Sequence, residues 1–275
     1  EYLNRSDDTL WAFLSNGLTL RVLRDNISLT RQAYLEFDLE AMMTGEAFSD
    51  FKLLWLVCHQ SRVEGERPDE FWLEKWSQLS HQEGTRILAD LRAGVQEAIE
   101  LFGGGFLAHP NNHELRAAVS SGELNTRDYY RELLRLVYRI LFLFVAEDRG
   151  LLPVPHAEPA TKERYLEHYS TQRLRRLAER RKGTRHRDLW ASFKVLQKVL
   201  VEDEGYSALG LPPLGGFLWS PEATPTIAGL SLGNAQFLDA LRQLAFTEKD
   251  RMLRRVDYKN LGSEELGSVY ESLLE

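Results

Sequence analysis

The sequence predicts a mainly α protein, a helical bundle with a small antiparallel β element near the N-terminus. Apolar and polar residues alternate in short runs within about the first forty residues, which is typical of half-buried strands. Over most of the remaining chain apolar residues recur at helical spacing, and Gly or Pro stands at several of the ends. These two patterns decide the fold class.

Three strands are predicted for the β element. The apolar run 10–14 is followed by Asn16-Gly17, a strong hairpin signal because both residues tolerate positive φ. The stretches 18–23 and 33–39 each alternate between apolar and polar residues. A turn at Asp25-Asn26 separates these two stretches, so an antiparallel sheet is expected.

Helical spacing predicts most of the remaining elements: 48–60, a helix from Asp69 through Trp76, 85–102, 114–120, 126–149, 189–200, and two helices capped by Asn234 and Ser263. Thr126 is the expected N-cap of the clearest helix, whose residues 140–146 are apolar on every side. That helix should be the buried centre of the bundle. Gly103-Gly104-Gly105 is expected to end helix 85–102, and 205–225 to form a long loop.

The division of the chain follows from the same patterns. Residues 1–45 are expected to form the β element and residues 46–275 the helical region. Because the chain begins at Glu1 rather than Met and stops within a helical pattern, we also expect it to be a piece of a longer protein.

Composition excludes several classes of protein. The chain has 275 residues, 43% hydrophobic and 27% charged, which excludes a wholly disordered or collagen-like chain. The single cysteine, Cys58, excludes an internal disulfide framework. The apolar run 140–146 is far shorter than the ~18–20 residues of a membrane span, and no signal peptide opens the chain. We expect a cytoplasmic protein without membrane contact.

Charge is distributed unevenly along the chain. The net charge is −7, yet residues 161–200 contain twelve Lys or Arg and only four Asp or Glu. The densest part is a candidate for binding nucleic-acid phosphates: Arg173, Arg175, Arg176, Arg180, Arg181, Lys182, Arg185 and Arg187. A solvated helix face with acidic partners elsewhere explains the same pattern equally well. No aromatic residues are interleaved for base stacking, so binding would be directed at the DNA backbone.

Other motifs carry less chemistry. Gly103-Gly104-Gly105 follows a predicted helix, whereas phosphate-binding loops follow a strand. His109 and His113 are separated by Pro110, so they are expected at a turn as surface or capping residues. Glu147-Asp148-Arg149 is expected to form an internal ion pair that anchors the following loop.

A metal-dependent nuclease of the PD-(D/E)xK kind needs an Asp on one strand and [DE]-x-Lys on the next. Asp50-Phe51-Lys52 and Asp257-Tyr258-Lys259 match the tripeptide, but neither lies on a convincing strand. Pro68-Asp69 is followed by Glu74-Lys75, which lacks the intervening residue. We therefore expect no nuclease site.

Several stretches in one order resemble a known family. Their residues are Leu10-Trp11 through Asn16-Gly17-Leu18 with Arg24-Asp25-Asn26, 142–153 with Glu147-Asp148-Arg149-Gly150-Leu151-Leu152-Pro153, Leu209-Gly210-Leu211-Pro212, Asp257-Tyr258-Lys259-Asn260-Leu261-Gly262, and Leu266-Gly267-Ser268-Val269-Tyr270-Glu271-Ser272-Leu273-Leu274. Together they resemble the region before the methyltransferase domain of fused restriction-modification and phage-defence N6-adenine DNA methylases, of the type IIG, BREX and DISARM kinds. The resemblance extends from Leu10 to Leu274.

The resemblance implies a function for the longer protein and a smaller one for this chain. The family transfers a methyl group from S-adenosylmethionine to adenine N6 in DNA, using a glycine-rich cofactor motif and an Asn-Pro-Pro-Tyr/Phe motif. Neither motif is present, since Pro212-Pro213 is not preceded by Asn. Residues 1–45 would be the tail of a nuclease-like fold, and 46–275 would lead into a methyltransferase domain outside this chain. No catalytic, cofactor or metal residue is carried over.

The chain is therefore expected to be inactive alone and to hold the catalytic domain while contacting the DNA backbone. S-adenosylmethionine is expected in the full-length protein, whose partners would be DNA, the methyltransferase domain of the same polypeptide and other defence-system subunits. The alternative is a helical protein-interaction module that docks partner subunits without nucleic-acid contact. A third hypothesis, an autonomous enzyme, needs a concave pocket lined by Glu147, Asp148 and a histidine.

Overall fold

The structure is a computed structural model, and it describes residues 10–24, 34–67, 70–180, 183–249, 252–261, 265 and 267–269, without the side chains of 81–87 and 249. The chain divides into two compact units, residues 1–85 and 86–275. The division expected from the sequence separated the β element from the helices at residue 45. The boundary between the two compact units falls after residue 85 of the sequence, within a helix.

The first unit contains a three-stranded antiparallel sheet. Its strands are β1 (Trp11–Ser15), β2 (Thr19–Arg24) and β3 (Tyr34–Asp38), in the order β1-β2-β3. Asn16 closes the first turn, since its Oδ1 accepts hydrogen bonds from the backbone N–H of Leu18 and Thr19 at 3.0 and 2.7 Å. Gly17 has φ +91°, which confirms the hairpin that Asn-Gly predicts.

Three helical elements follow the sheet: α1 (Leu39–Thr44), α2 (Phe48–Cys58) and the beginning of α3 (Trp72–Ala108). Asp38 caps α1 by accepting a hydrogen bond from Ala41 N–H at 2.8 Å. Arg24 of β2 donates two hydrogen bonds, 2.9 and 2.8 Å long, to the carboxylate of Glu74 in α3. This bidentate pair joins the sheet to the first turn of α3 within the unit.

The second unit is a bundle of helices, which confirms the mainly α class. After α3 come α4 (His113–Ser121), α5 (Thr126–Asp148), α6 (Pro159–His168), α7 (Thr171–Glu179), α8 (Asp188–Val199), α9 (Pro225–Gly229) and α10 (Asn234–Ala245). Short 3₁₀ turns at Ser207–Leu209, Phe217–Trp219 and Pro221–Ala223 lie in the expected loop.

Helix α5 is the buried centre, as its apolar pattern predicts. Most of its residues from Leu133 to Ala146 are buried, and only Phe142 among 140–146 is exposed. Aromatic rings of the neighbouring helices pack together beside it. The ring centroid of Trp190 lies 5.3 Å from that of Phe106 and 5.4 Å from that of Phe237. Such edge contacts between large rings are a major part of core packing.

One sequence-based prediction about an element is wrong, and several elements were not predicted. Gly103-Gly104-Gly105 lies inside α3 and does not end it. A Cβ on Gly103 would stand 3.0 Å from Leu133 and one on Gly105 2.8 Å from Leu232, so the glycines permit close packing rather than a break. The hairpin β4 (Phe246–Lys249) and β5 (Met252–Arg255), which follows α10 directly, was not predicted, and neither were the helices α1, α6, α7 and α9.

Capping differs from the prediction by small shifts. Asn125, not Thr126, caps α5, and its side chain accepts a hydrogen bond from Arg127 N–H at 2.9 Å. Asn234 is the first residue of α10, and its Oδ1 accepts a hydrogen bond from Leu189 N–H of α8 at 3.1 Å. The cap predicted at Ser263 lies outside the described residues.

Candidate nucleic-acid interface

Helix α7 carries the first part of the basic segment, and its N-terminus is held by two oxygen-bearing side chains. Ser170 Oγ accepts a hydrogen bond from Arg173 N–H at 3.2 Å. Glu147, at the end of α5, accepts from Thr171 N–H at 2.7 Å, Thr171 Oγ1 at 2.6 Å and Gln172 N–H at 2.8 Å. A carboxylate at a helix N-terminus also complements the helix dipole.

Glu147 is almost completely buried. Its fourth donor is the hydroxyl of Tyr165 at 2.6 Å, and the guanidinium of Arg175 lies 3.8 Å away. Burial raises the pKa of Glu147, while the hydrogen bonds from Thr171 and Tyr165 act in the opposite direction. Four protein donors occupy its oxygens, so Glu147 positions α7 and leaves no oxygen for a substrate.

The prediction that Arg175 binds nucleic acid is wrong. Arg175 is 1% exposed and donates two hydrogen bonds, 2.9 and 2.7 Å long, to the carboxylate of Asp148. Its guanidinium also lies 4.5 Å above the ring of Phe144. Because α7 turns this side chain toward α5, Arg175 pairs with Asp148, as Arg255 does at 3.0 Å. The ion pair expected within Glu147-Asp148-Arg149 therefore has other cations, since Arg149 donates to backbone carbonyls instead.

The opposite face of α7 is basic and solvent-exposed. Arg173, Arg176 and Arg180 stand at i, i+3 and i+7, a spacing that places them on one side of the helix. Arg176 and Arg180 are exposed and Arg173 is half-buried. At the other end of α7, Arg242 of α10 donates to the carbonyl oxygens of Ala178 and Glu179 at 3.1 and 2.9 Å. Both ends of α7 are therefore fixed while its arginines face solvent.

The segment 183–187 continues the basic surface and is pinned through its backbone. Asn234 N–H and Ala235 N–H, at the start of α10, donate to the carbonyls of His186 and Thr184 at 2.6 and 3.0 Å. Arg185 and Arg187 are exposed on this segment, and Arg187 donates to Ser231 Oγ at 3.2 Å. Arg181 and Lys182 lie outside the described residues.

Two further basic side chains, His109 and Lys194, lie near Arg187. Burial lowers the pKa of His109, and the charges of Arg187 and Arg116 lower it further. Burial and then Arg187 also lower the pKa of Lys194. His109 is distant in sequence from 173–187, and its lowered pKa favours the neutral imidazole near pH 7, so of the two groups Lys194 is the one that adds positive charge beside the segment.

The acidic residue Asp188 faces the same surface. Asp188 accepts a hydrogen bond from Asn234 Nδ2 at 2.9 Å, and this bond is the main reason why its pKa is lowered. The charges of His186 and Arg173 contribute further lowering. Arg173 is thus partly neutralised, whereas Arg176, Arg180 and Arg185 form no ion pair with any residue in the described part of the chain. We call Arg173, Arg176, Arg180, Arg185 and Arg187 the arginine face.

The remaining candidate residues have structural roles. His109 Nδ1 accepts a hydrogen bond from Asn111 N–H at 3.2 Å within the turn, and His113 begins α4 on its exposed side. Asp257 of the tripeptide Asp257-Tyr258-Lys259 accepts from Lys259 N–H at 3.1 Å in a turn, not on a strand. Among the described residues no three His, Cys, Asp or Glu side chains are grouped so as to hold a metal ion.

Three of the resembling stretches meet at the end of α5. Arg149 donates to the carbonyls of Lys259 and Leu261 at 3.1 and 2.8 Å. Val154 N–H, just after Pro153, donates to the carbonyl of Gly210 at 2.9 Å. A Cβ on Gly210 would come within 2.8 Å of Ala157, so this close approach requires glycine. Stretches far apart in sequence therefore form one packed junction that also fixes α7 through Glu147 and Asp148.

Comparison with protein-family models, with curated proteins and with solved structures finds no match for this chain. Across the described residues, no helix has both the length and the apolar character that crossing a membrane requires.

Proposed function

We propose that the chain is the non-catalytic helical part of an S-adenosylmethionine-dependent N6-adenine DNA methyltransferase of a restriction or phage-defence system. In this proposal it holds the catalytic domain and contacts the DNA backbone. The observation that carries the DNA contact is the arginine face: five exposed or half-buried arginines on an α7 fixed at both ends and on the backbone-pinned segment after it.

The physical argument is one of charge and preorganisation. Guanidinium groups bind phosphate oxygens with paired hydrogen bonds, and each neutralised phosphate releases counterions. Holding the helix by Glu147 and Arg242 means that its ordering cost is met on folding rather than on binding. The face carries no aromatic residue, so it supports contact with phosphates rather than with bases.

The junction at the end of α5 supports the scaffolding part. Arg149, Val154 and Gly210 join stretches that the resemblance places before a methyltransferase domain. Gly103-Gly104-Gly105 is helical and forms no loop around a cofactor. Methyl transfer in this proposal belongs entirely to another domain of the longer, cytoplasmic protein.

The test is a titration of a fluorescein-labelled duplex of about 20 base pairs at salt concentrations of about 50 to 300 mM. Five phosphate contacts predict a slope of log K against log salt of about −4.5. The double variant Arg176→Gln, Arg180→Gln should reduce the magnitude of this slope by about 2. It should also weaken DNA binding about tenfold at the lowest salt concentration. The measurement is fluorescence anisotropy.

The matched control is Arg127→Gln, Arg131→Gln on α5, which removes the same charge from exposed positions of another helix. It should leave the slope nearly unchanged. Equal effects of the two double variants would show that net charge alone, and not the arginine face, governs binding.

A protein-interaction module is the second candidate, and one feature of the first unit favours it. None of the residues of α2 is buried, and Phe48, Leu53 and Trp55 are 65%, 56% and 53% exposed. Apolar groups exposed together often mark a protein contact. The same titration separates the two candidates. A protein-interaction module is expected to show no DNA binding that depends on Arg176 and Arg180.

A further inference from the structure

A separate cavity lies in the second unit between α5, α8 and the turns of residues 217–228. Its volume is about 460 Å³, within the range of small-molecule sites. Two tryptophans, Trp190 and Trp219, form much of its apolar wall. Three cations, Arg139, Lys194 and Lys198, also line it, and none of the described residues around it is acidic.

Arg139 is a buried cation without an acidic partner. It is 5% exposed, and its N–H groups donate to four uncharged acceptors: Leu218 O at 2.7 Å, Ser220 O at 2.8 Å, Gln197 Oε1 at 2.8 Å and Thr224 Oγ1 at 3.0 Å. Burial lowers the pKa of Arg139, and the charge of Arg135 lowers it further. Buried charges are normally paired with an opposite charge, so this guanidinium has an unmet preference for an anion.

One acid of α5 near the cavity is committed elsewhere. Glu132 of α5 accepts hydrogen bonds from the backbone N–H of Thr226 and Ile227 at 2.9 and 3.0 Å. This carboxylate therefore holds the start of α9 and does not neutralise the cavity. Arg139 is thus the lining cation whose charge is buried without an anion, whereas Lys194 is half-buried and Lys198 is exposed.

Lys194 and Lys198 add charge at the outer part of the cavity. Lys194 Nζ donates to the carbonyls of Leu230 at 3.0 Å and Ala228 at 3.5 Å, which leaves one further N–H donor on its ammonium group. Lys198 is exposed, one helical turn further along α8. The cavity thus combines an apolar, aromatic wall with a cationic lining.

We propose that this cavity binds a small organic anion, a carboxylate attached to a flat aromatic or aliphatic body. The body would pack against Trp190 and Trp219, and the carboxylate would lie among Arg139, Lys194 and Lys198. DNA phosphates are poorer occupants, because a fully hydrated backbone gains nothing from the apolar wall. The site is therefore distinct from the arginine face and does not depend on the proposed function.

The experiment titrates the whole chain with 2-naphthoate and with 2-naphthylmethanol, which has the same ring system without the charge. Isothermal calorimetry should show one site for 2-naphthoate, bound at least about tenfold more tightly than the alcohol. Lys198→Met should weaken 2-naphthoate about threefold and leave the alcohol unchanged. Lys259→Met, at an exposed lysine outside the cavity, is the matched control and should change neither ligand.

Ala191→Trp tests the location of the site. Ala191 is an exposed residue of α8 that lines the cavity, so a large side chain there fills the space without touching Arg139's hydrogen bonds. Binding of 2-naphthoate should fall at least about tenfold while the unfolding curve stays the same. The proposal is overturned by equal affinity for the two ligands, by full binding in Ala191→Trp, or by no binding up to about 5 mM.

Discussion

Arg175 and Arg176 are adjacent in sequence and have opposite roles, because a helix rotates about 100° between neighbouring residues. Arg175 turns toward α5 and pairs with Asp148, while Arg176 turns to solvent. A run of arginines in a sequence therefore cannot be read as a uniform binding surface. The helical wheel separates its members, provided that the apolar positions Leu174 and Ala178 are used to orient it.

This difference gives a prediction for stability. Arg175→Met removes the buried guanidinium that pairs with the carboxylate of Asp148, and it should lower the free energy of unfolding by about 3 kcal/mol. Arg176→Met should change it by less than about 0.5 kcal/mol. Urea denaturation followed by tryptophan fluorescence measures both. Similar losses in the two variants would contradict the assignment of Arg175 to the core and Arg176 to the surface.

A second residue-scale prediction concerns pH. The hydrogen bonds and charge of Arg24 lower the pKa of Glu74. A carboxyl with a lowered folded-state pKa adds stability above its unfolded value, near ~4.3, and that stability is lost as pH falls through the folded value. Glu74→Gln should cost about 1 kcal/mol at pH ~7 and nearly nothing at pH ~2.5. Unfolding curves at both pH values test this prediction, and Glu64→Gln, a substitution at an exposed position, is the control.

At the scale of elements, two glycines of α3 differ in what surrounds them. A Cβ at Gly94 would lie 2.4 Å from the carbonyl oxygen of Gln243 in α10, whereas one at Gly104 would meet nothing within 4 Å. The helices α3 and α10 approach closely at Gly94, and the backbone carbonyl there cannot easily move. Gly104 faces solvent.

Alanine substitutions should therefore have opposite signs. Gly104→Ala should stabilise the protein by about 0.5–1 kcal/mol through helix propensity. Gly94→Ala gains the same propensity but should destabilise the protein by about 1–3 kcal/mol, because the two helices must separate. Thermal unfolding followed by circular dichroism gives both signs. Stabilisation by Gly94→Ala would mean that the helices do not pack as described.

The sequence predicts long periodic elements well and contacts between elements poorly. Helix α5 was expected at 126–149 and occupies Thr126–Asp148, because its apolar stripe is wide and its ends are marked. The hairpin β4–β5 was missed, since four-residue strands are too short to show a period. Gly103-Gly104-Gly105 misled because a glycine that ends a helix and one that admits a neighbouring helix look alike in sequence.

The candidate site shows the same limit. The basic segment was visible as a local excess of charge, and most of its described members lie on the surface. The burial of Arg175 and the approach of Lys194 and His109 to Arg187 depend on how α5, α8 and α3 pack. The cavity around Arg139 gave no signal at all, because its lining comes from three separated parts of the chain.

At the scale of the whole molecule, a cationic face stands on a protein whose net charge is −7. The acidic residues around the face repel the DNA that the arginines attract, and salt screens both interactions. Glu179 is the acid within the basic helix α7, and it is exposed between Arg176 and Arg180 in sequence. Its negative charge should therefore weaken DNA binding more than the charge of any other single acidic residue.

Removing that charge should strengthen binding in a salt-dependent way. Glu179→Gln should raise DNA affinity about twofold to threefold at ~50 mM salt, and the gain should vanish near ~300 mM, where the screening length is shorter than the distance to the phosphates. Glu64→Gln removes one negative charge from an exposed position in the first unit and should change affinity less. If both variants increased DNA affinity equally, the effect would come from the net charge of the protein. That result would contradict DNA binding at the arginine face.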